Sequence, residues 1–236
     1  MEKKNKIIKR NICIPSGLRL REAGEGEEQS RVITGYAILF NTPSEPLWSD
    51  ETSEAREVID PAAISEELLR GQDIKMTMFH DRQLILARSN KGEGTLSYSV
   101  DGKGVKFEFE APNTADGDKA VELVKRGDIS GCSFAYSTYY YDSDFVERQS
   151  NVADNGVNNI TYRVKAITKI YDFTLAADPY YPDTSVETRE LADGLRGIEE
   201  EAPKREEEKK REQEKEKKIK SQIEAMREQA KRGIIL

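Results

Sequence analysis

At 236 residues the chain can bury one sizeable core, yet charged residues make up 34% and the apolar set only 36%, so part of it must lie outside that core. A net charge of −7, with no basic stripe interleaved with aromatics, excludes a nucleic-acid-coating surface, and no run approaches the ~20 apolar residues of a membrane span. One histidine and two distant cysteines, Cys13 and Cys132, leave neither a zinc site nor a disulfide framework, so no metal or other cofactor is expected and a reducing compartment fits.

In chain order, an N-terminal segment (1–30) comes first; its MEKKNKIIKRN lacks the apolar core of a signal peptide, and the protein reads as soluble and unexported. RVITGYAILF (31–40) is a strand, and after a loop DPAAISEELLRG (60–71) has the punctuation of one helix: Asp60 at the N-cap, Pro61 at the first turn, Gly71 at the stop. DIKMTMFH (73–80) reads as a strand ending at the single histidine, His80. TLSYSV and VKFEFEA flank DGKG (101–104), a hairpin signal. DGDKAVELVKRG (116–127) is an amphipathic helix stopped by Gly127, leading into the long β-type run DISGCSFAYSTYYY (128–141). ITYRVKAITKIYDFTLA (160–176) alternates again, and DPYYPDTSV closes the folded region near residue 190.

From 191 to 236 the chain reads as a charged helical tail. Within 199–220 only Ala202, Pro203, Gln213 and Ile219 are uncharged, and pairs such as Glu206 with Lys210 and Glu214 with Lys218 have the acid-before-base spacing that supports a solvated helix. Ile219, Ile223, Met226 and Ala230 add a short apolar stripe on which a partner helix could dock. Because strands outnumber helices without alternating with them, the expected fold is α+β: a mostly antiparallel, barrel-like sheet with a few flanking helices.

Side chains alternate along a strand, so in GCSFAYS the residues Cys132, Phe134 and Tyr136 share one face while Gly131, Ser133, Ala135 and Ser137 share the other. If the aromatic pair packs inward, Ser133 points out among small neighbours, and Ser130 and Cys132 become poorer nucleophile candidates. A serine hydroxyl attacks only when a base takes its proton, and imidazole is the side chain suited to that at neutral pH. The chain offers one, His80. A third group should orient that ring, and without a second histidine it must be a carboxylate or be absent. Asp172 in KIYDFTLA, Asp81 beside the histidine and the acids of 116–118 are the candidates. Asp172 is preferred, because a charge among Ile170, Phe173 and Leu175 is out of place unless it has a partner.

These stretches together resemble a known family. GYAILFN (35–41), EVIDPAAI (57–64), FHD around His80 with LAR after it (86–88), LSYSVDGKGVKFEFEAPNT (96–114), VKRGDISGCSFAY (124–136) and IYDFTLAADPYYPDTSV (170–186) stand in the order of the prohead, or capsid-maturation, proteases of tailed bacteriophages. That family is similar in fold to the herpesvirus capsid-assembly protease, assemblin. The resemblance covers about 31–187 and implies a serine protease domain at 31–190, with His80, Ser133 and Asp172 at the catalytic positions; at the third position the family more often carries glutamate. It implies that the chain cleaves the scaffolding portion of the major capsid protein precursor, and itself, inside the immature procapsid in the host bacterial cytoplasm, with self-association possible. Nucleic acid and membrane are not among the expected partners. A competing reading is a catalytically inactive assembly or scaffolding protein acting through its charged tail. Cys132 as nucleophile is a third reading, disfavoured by the strand-face argument.

Overall fold

Three stretches that alternate apolar and polar residues, DIKMTM, GCSFAYSTY and KIYDFTLA, form the centre of the sheet that positions the site. The computed structural model describes residues 7–15, 17–22, 30–44, 46–140 and 142–177, and beyond these only Arg211, Lys217, Lys218 and Ser221. Its elements run β1 (Ile7–Pro15), β2 (Arg19–Leu20), β3 (Val32–Leu39), β4 (Trp48–Ser49), β5 (Ser53–Ile59), α1 (Glu66–Arg70), β6 (Asp73–Met78), β7 (Asp81–Asn90), β8 (Glu93–Gly94), β9 (Leu96–Val100), β10 (Gly104–Glu110), α2 (Ala115–Arg126), β11 (Gly131–Tyr139), β12 (Val146–Val152), β13 (Asn158–Val164) and β14 (Lys169–Ala176). They form three sheets, ordered β1-β11-β14-β6-β7-β8, β2-β3-β10-β9 and β12-β13-β5-β4. Neighbours are antiparallel except for β14 beside β6 and β13 beside β5.

In the first sheet the register lines up like with like. Phe134 lies opposite Phe173, which lies opposite Met76; Cys132 lies opposite Leu175, which lies opposite Met78. All six are fully buried, so one face of this sheet is continuous core. Tyr136 on the same face stacks on Phe134 with ring centroids 5.2 Å apart. Its hydroxyl donates to the buried carboxylate of Glu57 on β5, which also accepts from Tyr140 at 2.6 Å. In the second sheet β3 and β10 approach so closely at Gly104 that a Cβ there would lie 1.9 Å from the Ile38 carbonyl oxygen, so no other residue fits.

Several expectations from the sequence need correction. The molecule is mostly β with few helices, but among the described residues the three sheets are open and no barrel closes. The stretch 60–71 is not one helix. Asp60 caps a 3₁₀ turn at Pro61–Ala63, Ile64 then adopts extended backbone with its side chain buried, and Ser65 caps α1 afresh. Two N-caps within six residues compete, and burial of Ile64 decides for two short turns. The run 160–176 is likewise two strands, β13 and β14, in different sheets. The α2 helix and the 101–104 hairpin form as expected, with Thr114 as N-cap, Gly127 in the left-handed conformation, and Asp101 accepting from the Lys103 and Gly104 amides.

The chain divides into one unit through Asp183 and a second from Thr184. The expected closing segment DPYYPDTSV, the tail's charge pairs and its Ile219-to-Ala230 stripe lie outside the described residues, apart from four helical, exposed positions between 211 and 221.

Candidate active site

The face of the first sheet opposite the core carries hydroxyls. Ser133 on β11 pairs with Thr174 on β14, which pairs with Thr77 on β6, so three short polar side chains form a row across three strands. Asp172 lies two residues before Thr174 and therefore shares its face. This face is covered too: Ser133 is only 4% exposed, and Thr77, Asp172 and Thr174 are buried. The sequence placed Ser133 on the correct side of its strand but did not anticipate that this side would be enclosed.

His80 reaches the row from a turn. Met78 pairs with Asp81, leaving Phe79 and His80 as a two-residue connection between β6 and β7, with φ of 55° and 57°. Two-residue hairpins favour positive φ at both central positions because that twist matches the flanking strands, and Asn-Gly is the usual occupant. Phe and His enter this region at a cost of about 1–2 kcal/mol each. The sequence carries no turn signal here, which is why β7 is hidden in it. Both turn amides are engaged by β14: Phe79 N–H donates to the Leu175 carbonyl at 3.2 Å, and His80 N–H donates to Thr174 Oγ1 at 2.9 Å.

So placed, the imidazole bridges two strands. His80 Nδ1 lies 2.6 Å from Asp172 Oδ1, and His80 Nε2 lies 2.8 Å from Ser133 Oγ. A carboxylate only accepts, so Nδ1–H donates to Asp172 and Nε2 keeps the lone pair that faces the serine hydroxyl. The Asp172 side chain is 5% exposed and that of His80 23%, which makes the imidazole the member open to solvent.

The other candidates lie elsewhere. Cys132 is fully buried on the opposite, apolar face beside Phe134, and Ser130 is exposed ahead of β11. Asp81 accepts from the Gln83 amide at 2.8 Å, and Asp118 pairs with Arg31 at 2.8 Å. Thr77 and Thr174, which the sequence reading passed over, touch the site. The spacing Asp172-x-Thr174 on a strand was the signal that could have singled out the second.

A hydroxyl, an imidazole and a carboxylate in one hydrogen-bonded chain form the arrangement that nucleophilic acyl transfer requires, which is the chemistry of serine hydrolases. The sequence matches the caudovirus prohead serine protease family over residues 17–196, and the chain belongs to that family. Among solved structures it is similar to the bacteriophage T4 capsid assembly protease, gp21, at 9% identity and a TM-score of 0.34, covering 71% of this chain and 98% of that one. No curated protein matches it. No helix among the described residues is long and apolar enough to cross a membrane.

Proposed function

We propose that this chain is a serine endopeptidase with Ser133 as nucleophile, His80 as general base and acid, and Asp172 as the group that orients the ring. The observation that carries the reading is the unbroken contact from Ser133 Oγ through His80 to Asp172, at 2.8 and 2.6 Å. As Ser133 Oγ attacks the scissile carbonyl, its proton passes to His80 Nε2, and the imidazolium is stabilised by Asp172. The tetrahedral intermediate collapses, Nε2–H protonates the leaving amine, and the acyl-serine remains. Water, deprotonated by the same nitrogen, then releases the acid and restores the serine.

The substrate in this reading is the scaffolding portion of the phage major capsid protein precursor, with cleavage of the chain itself in addition. Membership of the prohead protease family supports it, and in this reading the reaction takes place inside the immature procapsid. In this reading the domain at 31–190 carries the chemistry.

Ser133→Ala removes one buried hydroxyl and keeps the fold. Co-expressed capsid precursor should then stay full-length, a loss of at least ~10³-fold in processing rate. Precursor cut at the normal rate by that variant would overturn the nucleophile assignment. A serine-directed fluorophosphonate should label Ser133 in the parent, and in a Cys13→Ser variant a thiol reagent should leave activity intact because Cys132 lies on the opposite, apolar face of β11.

A further inference from the structure

We propose that Thr174, backed by Thr77, is a positioning residue of this site: its hydroxyl fixes the main chain of His80 so that the imidazole spans Asp172 and Ser133. The inference rests on the catalytic roles proposed above.

The two-residue turn that presents His80 leaves both of its amides outside the β6–β7 ladder. Turn amides usually face water. Here the His80 N–H instead meets Thr174 Oγ1 at 2.9 Å, a side-chain acceptor that is 1% exposed. Thr77 Oγ1 donates to the same oxygen at 2.9 Å, and Thr77 is wholly buried. A hydroxyl oxygen has two lone pairs, so these two donors occupy both and leave it one orientation. Threonine adds a stiff χ1, which an unbranched serine lacks.

The consequence is a two-point grip from one strand. Asp172 holds the ring through Nδ1, and Thr174, two residues on and on the same face, holds the main chain of the same histidine. The Ser133–Thr174 pairing then ties that grip to the nucleophile's strand. Since Phe79 and His80 both sit at positive φ, a conformation neither favours, release of the His80 amide frees the turn to relax and carries Nε2 away from Ser133 Oγ. A displacement of about 1 Å at a reacting group lowers rate by up to ~10²-fold.

The test compares Thr174→Val, Thr174→Ser, Thr77→Val and Ser133→Ala with the parent, on a peptide spanning a junction that the parent cuts. Valine matches threonine in shape and replaces the hydroxyl that accepts from His80 N–H and Thr77 by a methyl. Thr174→Val should lower kcat by about 10–100-fold with KM within about twofold. Thr174→Ser should restore most of that loss, and Thr77→Val should fall between. The downfield imidazole N–H proton shared by His80 and Asp172 should broaden or shift in Thr174→Val and return in Thr174→Ser. In the parent, the His80 amide should exchange with solvent as slowly as amides of the central strands. Fast exchange of that amide overturns the proposal even if Thr174→Val fails to fold. Full kcat in a folded Thr174→Val, with Ser133→Ala dead, overturns it while leaving the protease reading intact. An active Ser133→Ala overturns both.

Discussion

His80 occupies a position that its own conformational preference opposes. Its φ of 57° follows that of Phe79, and the pair fills a turn that glycine and asparagine occupy more cheaply. Such strain persists only where the surroundings over-determine it, and here β14 does so through Leu175, Thr174 and Asp172. The role of Asp172 separates by substitution. Asp172→Asn keeps size and hydrogen-bonding capacity but presents an amide to Nδ1, which favours the tautomer carrying its proton on Nε2. Labelling of Ser133 by a fluorophosphonate should slow by about 10²–10⁴-fold while the circular dichroism spectrum is unchanged. A labelling rate within threefold of the parent would remove Asp172 from the orienting role.

Between elements, two contacts fix the strands that carry the site. The first joins β11 to β5, where Tyr136 donates to Glu57 in the core, with Tyr140 as a second donor. Tyr136→Phe leaves that buried carboxylate short of a partner, and denaturant unfolding should show a loss of about 1–3 kcal/mol. No change would mean that Glu57 finds a replacement donor at no cost. The second joins β6 to β7, where Arg88 and, to a smaller extent, Lys75 hold the Asp73 carboxyl down at about 2. Because the folded value lies below the unfolded one, Asp73 favours the folded state at every pH above about 4. That contribution is lost as pH falls from about 4 through about 2. The pair is more than a third exposed, so the effect is small. Asp73→Asn should therefore have a slightly lower urea midpoint than the parent near neutral pH, and the gap should narrow below about pH 4 and close below about pH 2. A gap that widens on acidification would reverse the sign assigned to this ion pair.

Across the whole molecule, the chain divides its labour between two faces of one sheet. Cys132, Phe134, Phe173, Leu175, Met76 and Met78 make the core, and the intervening Ser133, Asp172, Thr174 and Thr77 make the polar row that meets His80. Alternation within each strand was legible from the residues alone, because the two-residue period assigns every side chain to a face. That is why Ser133 could be separated from Cys132 and Asp172 recognised as a charge in need of a partner. The family was legible as well, through the order of its motifs. Less legible were features that depend on partners distant in the chain. β7 follows a turn without a turn sequence, β12 lies in a stretch that carries no strand signal, and 160–176 is one alternating run although its halves join different sheets.

What the sequence determines by itself is local. A single histidine permits one base and no second imidazole, and the strand period puts Ser133 and Asp172 on definable faces. Register was settled only by tertiary structure. Ser133, Thr174 and Thr77 become neighbours because β14 runs antiparallel to β11 and parallel to β6, and a shift of one residue in either pairing would send Thr174 and Asp172 into the core. Such a pairing is fixed by the matching of apolar rows from strands far apart in the chain, a sum over many contacts that no single stretch of residues contains.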